Sequence, residues 1–205
     1  MTKHNMTRSR YDRVAPFYDL MELPLELMHL SQLRRKLWAA AQGEVLELGV
    51  GTGRNMKHWP AESRITGIDI SPRMLARAQL RAARMGLSPR LMLMDIENLE
   101  FPPHSFDTVV ATCVFCSVPD PVQGLREAAR VCRPGGQILL LEHVRSMRPW
   151  LGRAMDILNP LTLRLVGANI NRDTLANLAK AGLVGHCDRE LSTDILKLIS
   201  TGPGQ

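Results

Sequence analysis

At 205 residues the chain is long enough for one domain with a full hydrophobic core. Aromatic residues make up only 4%, which excludes a broad stacking face for single-stranded nucleic acid, so no nucleic-acid partner is expected. The chain carries 26 Lys and Arg against 20 Asp and Glu, a formal net charge of +6, which favours anionic surfaces such as membrane phosphates.

In chain order, Met1 to Arg10 is polar and has no apolar centre. This predicts a disordered start, no signal peptide and a cytoplasmic chain. No apolar run reaches the ~18 residues that a membrane span needs. Residues 11–42 read as helical, with Leu23, Leu27, Leu30, Leu33 and Leu37 at three- and four-residue spacing. Arg34, Arg35 and Lys36 lie beside them, making a basic amphipathic segment suited to the inner face of a membrane, with peripheral contact expected through residues 23–37. Strand and helix patterns then alternate. Glu44–Leu48 reads as a strand, 53–59 as the start of a helix, and Arg64–Ile68 as a second strand ending at Asp69. Ser71-Pro72 reads as a cap with proline at the first helical position, and Gly86 as that helix's stop. Leu91–Met94 and Phe106–Thr112 are further strands, and Asp120-Pro121 opens a helix through Val131. Pro134-Gly135-Gly136 is a tight turn before a strand over Gln137–His143, and two weaker strands follow near Gly185–Glu190 and Leu196–Ser200. Such alternation predicts an α/β, doubly wound, mostly parallel seven-stranded sheet with helices on both faces. The expected organisation is an N-terminal lid and basic helix over 1–42 and a ligand-binding domain over 43–205.

The chemistry-bearing run is Glu47-Leu48-Gly49-Val50-Gly51-Thr52-Gly53, between a strand and a helix. Glycines there let the backbone approach a ligand closely, and a helix start favours an anionic group. The spacing is G-x-G-x-G, unlike the dinucleotide fingerprint G-x-G-x-x-G. Asp69 follows at the end of the next strand, 16 positions after Gly53 (69 − 53), near the ~20-residue separation expected of an acid that accepts ribose hydroxyls. Asp95-Ile96 ends the third strand, where an adenine edge is in reach.

Four motifs in order resemble those of class I S-adenosylmethionine (SAM) dependent methyltransferases. They are the glycine run with Val45 and Leu46, Thr66-Gly67-Ile68-Asp69, Phe101-Pro102-Pro103-His104-Ser105-Phe106-Asp107, and Val131-Cys132-Arg133-Pro134-Gly135-Gly136. They span about half the chain. The resemblance implies SAM as cofactor. Gly49, Gly51 and Gly53 would line its methionine part, and Glu47 would sit near its amino group. Asp69 would hold the ribose, Ile70 and Met74 would pack on adenine, and Asp95 would meet the adenine amino group with Ile96 beside it. Thr112 and Cys113 would follow strand four. The segment Tyr11-Asp12-Arg13-Val14-Ala15-Pro16-Phe17-Tyr18-Asp19 is similar to the lead-in of methyltransferases acting on quinones and phospholipids, where it folds over the cofactor as a lid. Tyr11 or Tyr18 would then meet the SAM carboxylate or shape the methyl-transfer pocket.

The implied acceptor is a lipid or small molecule, first the amine of phosphatidylethanolamine. C- or O-methylation of a quinone precursor, a thiol or metalloid acceptor, and an inactive SAM-fold binding module stand as alternatives. An amine attacks only when neutral, so a proton acceptor helps. His143, at the carboxyl end of strand five, is the candidate base, and Tyr18 is the second catalytic candidate. Cys113 and Cys116 form C-x-x-C, but no second pair completes a zinc site, and no metal is expected. Residues 147–168 mix Met, Leu and Trp150 with Arg148, Arg153 and Arg164, and read as either an apolar flap or a plain helical insertion.

Overall fold

A computed structural model of the chain describes residues 3–26, 30–165, 167–188 and 192–203. Its elements run α1 (Lys3–Val14), a 3-10 turn (Ala15–Phe17), α2 (Tyr18–Leu25), α3 (Ser31–Ala39), β1 (Glu44–Leu48), a 3-10 helix (Arg54–His58), β2 (Arg64–Asp69), α4 (Pro72–Arg84) and β3 (Arg90–Leu93). Then come β4 (Phe106–Thr112), α5 (Pro121–Val131), β5 (Cys132–His143), α6 (Pro149–Leu165), α7 (Thr174–Lys180), β6 (His186–Cys187) and β7 (Leu196–Thr201).

The sheet has seven strands in the order β3-β2-β1-β4-β5-β7-β6. The first five are parallel; β7 runs antiparallel to both β5 and β6. This is the doubly wound, mostly parallel arrangement that the alternating pattern predicts. The strand order reverses at β1, which pairs with β2 on one side and β4 on the other. Leu48 lies level with both Ile68 and Ala111. The register therefore brings the loops after β1, β2 and β4 to one crevice at the carboxyl edge, where open α/β sheets bind ligands.

Local chemistry explains the helices that frame this crevice. Ser71 caps α4, accepting from the Met74 N–H at 3.1 Å, and Pro72 fills the first turn. Met74, Leu75, Ala78 and Ala82 form the helix's buried stripe. Asp120 caps α5 in the same way, accepting from Gln123 N–H at 3.0 Å. The expected helix over 53–59 is a five-residue 3-10 helix, too short to bury a stripe of its own.

The N-terminus departs from expectation. Residues 3–10 belong to α1 rather than to a disordered tail. Their order comes from polar docking that no hydrophobic period reveals: Thr7 is buried, His4 meets Asp95, and Asp12 meets Ser71. The helical stretch over 11–42 is broken into α1, a turn, α2 and α3.

The segment 23–37 also differs from a surface basic helix. Leu30, Leu33, Leu37 and Trp38 are buried against Val45, Val110, Leu139 and Leu141, so α3 covers one face of the sheet. Leu27 lies outside the described residues. Arg34 turns inward, only 4% exposed. It donates to Glu22 at 2.8 Å, to Glu26 at 3.1 Å and to Asn55 at 2.8 Å. Its charge is spent on two carboxylates of α2 and the end of that helix, and is not offered to a membrane. Truncating one member of a buried ionic set strands the others. Arg34→Ala is therefore expected to destabilise the fold by about 3–5 kcal/mol in urea unfolding. A loss below about 1 kcal/mol would mean that Glu22 and Glu26 find solvent without it.

Candidate cofactor and acceptor site

The crevice holds one cleft of about 610 Å3 counting its open mouth, the size of a small-molecule site. Eleven of the residues singled out in the sequence line it: Tyr11, Tyr18, Gly49, Gly51, Asp69, Ile70, Met74, Asp95, Ile96, Thr112 and Cys113. Thr7, Val114, Ser117, Val118 and Pro119 complete the wall and escaped the sequence reading. Ser117 to Pro119 follow β4 directly, so the carboxyl-edge rule alone points to them. Thr7 carried no signal, because its helix is recognisable only once docked.

Asp69 organises the floor. Its Oδ2 accepts from the Gly51 N–H at 2.8 Å and its Oδ1 from the Ser71 N–H at 2.9 Å. Burial pushes its carboxyl up to about 6, against these two hydrogen bonds. A carboxylate offers about four lone-pair positions, so two backbone donors leave capacity for ligand hydroxyls. Gly51 has φ +56°, and a Cβ there would meet nothing closer than the Gly49 carbonyl at 4.0 Å. It would project into free space along the cleft floor, which is the cradle a close-lying ligand requires.

Two other motif residues stand apart from the cleft. Gly53 faces α4 instead; a Cβ there would lie 2.7 Å from the Met56 methyl and 3.4 Å from Ala78 Cα. It serves close packing of loop on helix. Glu47 is buried beneath the loop, accepting from Asn55 Nδ2 at 2.7 Å and Trp59 Nε1 at 2.9 Å. Burial raises its carboxyl to about 7. Strand alternation is the cause, since Glu47 points away from the neighbouring loop and into the layer beneath it.

His143 is likewise outside the cleft. Consecutive strand residues face opposite sides, so Glu142 reaches the β4 loop and His143 points the other way, toward the Ile170 backbone. Burial lowers its pKa, leaving it neutral near pH 7. The candidate base is therefore not positioned to act in the cleft.

Glu142, the residue before His143, shapes the cleft wall instead. It is fully buried, and its Oε1 accepts from the Val114 N–H at 2.9 Å and the Phe115 N–H at 3.2 Å. These bonds fix the cleft-lining turn that begins at Cys113, whose φ of +54° is rare for a residue with a side chain. Burial raises the Glu142 carboxyl to about 7, and Oε2 has no partner among the described residues. Burial and the Glu142 charge push the Cys113 thiol up to about 12, and Cys116 also well above its usual value. Both thiols are therefore disfavoured as thiolates near pH 7.

Helices α1 and α2 cover the cleft. Tyr11 and Tyr18 enter the cleft with ring centroids 6.3 Å apart, and burial raises both hydroxyls. Asp12 accepts from Ser71 Oγ at 2.6 Å. His4 lies 2.5 Å from Asp95 Oδ2 and 3.4 Å from Glu97 Oε2, closing the far end. Asp95 also accepts from the Glu97 N–H at 3.0 Å.

The site therefore fits SAM on its own geometry. It has a glycine floor without side chains, one acid at the end of β2, a second acid after β3, and apolar Ile70, Met74 and Ile96 between them. The comparisons agree. Residues 46–140 match the family model described as a methyltransferase domain. A phosphatidylethanolamine N-methyltransferase of Cereibacter sphaeroides is 45% identical over 106 residues, 51% of this chain and 52% of that protein. The ubiquinone/menaquinone biosynthesis C-methyltransferase UbiE of Hahella chejuensis is 33% identical over 178 residues, covering 80% of this chain and 70% of that one. A Thermotoga maritima structure titled a SAM-dependent methyltransferase, possible histamine N-methyltransferase, shares the fold at TM-score 0.73 and 20% identity, over 96% of this chain and 99% of that one. The chain belongs to the class I SAM-dependent methyltransferase family. It spans about half the length of the Cereibacter relative.

The pH dependence of stability follows from Glu142. Its folded pKa is raised, so its contribution is full below the unfolded value near 4.5 and is lost as pH rises through about 7. Glu142→Gln removes the buried charge and keeps an oxygen acceptor. The variant's melting temperature relative to the parent should accordingly improve between pH 5.5 and pH 8.5, by an amount of order 3 kcal/mol at most. Parallel melting curves across that range would show that Glu142 titrates normally.

Proposed function

We propose that the chain transfers a methyl group from SAM, bound along the cleft, to the amine of a phospholipid headgroup, first phosphatidylethanolamine. The observation that carries the cofactor half is the joint geometry of Gly51 and Asp69: an open glycine floor pinned by a buried acid that keeps free lone pairs. Gly49 and Gly51 would take the methionine part, Asp69 the ribose hydroxyls, and Ile70, Met74, Asp95 and Ile96 the adenine. Bound SAM supplies an electrophilic methyl on a sulfonium. The chain's own residues align and enclose the reactants, which is most of what such a displacement requires.

Thr112, Cys113 and Ser117 on one side and Tyr11 and Tyr18 on the other form the walls where the acceptor enters. Tyr18 stays neutral because its hydroxyl pKa is raised, so it acts as an oriented acceptor for an amine N–H rather than as a strong base. Its ring face suits the cationic centre that the reaction moves from sulfur to nitrogen. The amine sheds its proton to water before it attacks, since the carboxylates that line the cleft, Asp69 and Asp95, lie at the ribose and adenine end. The phospholipid acceptor is supported by the 45% identity to the Cereibacter enzyme and by the Tyr11–Tyr18 lid. The quinone reading is supported by the UbiE relative.

Labelled SAM incubated with the protein and phosphatidylethanolamine in anionic liposomes should yield methylated lipid on chromatography. Unlabelled lipid together with confirmed SAM binding transfers the proposal to quinone precursors. Asp69→Ala frees two backbone N–H groups and removes the ribose acceptor, and should weaken SAM binding about 100-fold in calorimetry. Unchanged affinity in a variant that still melts cooperatively would remove Asp69 from the site.

A further inference from the structure

Helix α6 carries an exposed apolar stripe that none of the described residues covers. Gly152 and Met155 are its buried positions, facing the body of the protein. Trp150, Ile157, Leu161 and Leu165 recur at intervals of seven, four and four residues, so they form one line along the opposite side. They are 68%, 78%, 54% and 62% exposed, and Leu158 beside them is 50% exposed. Met147, just before the helix, is 83% exposed.

The charges beside the stripe are nearly all positive. Arg153 and Arg164 are exposed, and Arg148, also exposed, lies 3.9 Å from Asp194. Asp156, the helix's own acid, is already held by Arg145 at 2.8 Å and Asn171 at 3.0 Å. An apolar line edged by arginines is the pattern of a helix that lies in the interface of an anionic bilayer.

The inner side of α6 is tied to the wall of the cleft. Gly167, immediately beyond the helix, packs against Arg10 and the Tyr11 ring. Asn169 donates its backbone N–H and its Nδ2 to the Cys116 carbonyl, both at 2.9 Å, and Arg172 donates to the Val118 carbonyl at 2.8 Å. Asn159 of α6 in turn bonds the Ile170 N–H at 2.9 Å. The same short segment therefore joins α6 to the loop that lines the cleft and to the lid.

We infer that the outward face of α6 is a docking surface for anionic lipid membranes, holding the cleft mouth against the bilayer. This surface is distinct from residues 23–37, where Leu30, Leu33, Arg34 and Leu37 are buried. The inference holds for any acceptor that resides in a membrane, whether a headgroup amine or a quinone, and its test requires no methyl transfer.

The test is flotation of the full chain with phosphatidylcholine vesicles, with and without phosphatidylglycerol. The parent should float with the anionic vesicles and be released by salt. Ile157→Asp combined with Leu161→Asp should reduce the bound fraction at least tenfold. Arg153→Glu with Arg164→Glu should abolish the preference for phosphatidylglycerol. Val184→Asp, at an exposed apolar site away from α6, should float like the parent. SAM affinity measured by calorimetry should stay within twofold in every variant, showing that the cleft is intact. Trp150 emission should shift to the blue on vesicle addition, a change absent in Trp150→Phe. A double-aspartate variant that floats as the parent does would overturn the inference. So would a parent that ignores anionic vesicles, or a stripe whose substitution converts a dimer to a monomer in sedimentation without altering flotation.

Discussion

One buried carboxylate ties together the segments on which the site depends. Asp69 stands at the end of β2 and accepts from the backbone of both the β1 loop and the start of α4. Ser71, held by this bond, caps α4 and donates to Asp12 of the lid. The glycine floor, the helix behind it and the covering helix are thus fixed by one short chain of hydrogen bonds. Burial makes each of those bonds stronger than its equivalent in water, and makes the bare carboxylate costly enough to raise its pKa. A ligand that brings hydroxyls to Asp69 would relieve that cost, which couples binding to the order of the loop.

Glu142 plays the matching part on the other side of the switch point. It organises the turn after β4 through backbone donors, where a residue with a side chain adopts positive φ. Two buried acids, one at the end of β2 and one near the end of β5, therefore shape opposite walls of a single cleft. The cysteines between them are kept as neutral thiols by the same burial and by the charge of Glu142.

The N-terminal region shows how local pattern and tertiary context diverge. Leu30, Leu33 and Leu37 do form an apolar stripe, as their spacing indicates, and the stripe packs on the sheet. Arg34 is adjacent in sequence to two other basic residues but alone turns inward, because Glu22, Glu26 and Asn55 converge on it from outside its own helix. Helix α6, by contrast, leaves a line of apolar residues in solvent opposite its packed face.

The sequence by itself determined the order of strands and helices, the caps at Ser71 and Asp120, and most of the cleft lining. These follow from short-range period, turn chemistry and the placing of glycines and acids at strand ends, all of which are local. It identified Gly49, Gly51, Asp69 and Asp95 because a parallel sheet carries every strand's carboxyl end to one edge. Only the tertiary structure decided which of two neighbouring residues faces the cleft. Glu142 enters its wall and His143 does not; Glu47 and Gly53 pack beneath the loop while Gly51 lies open. It also decided that residues 3–14 form a helix over the cleft, because the contacts of His4 with Asp95 and of Asp12 with Ser71 reach across 59 or more positions in the chain. No periodicity encodes such contacts, and they exist only when the sheet has brought its loops together.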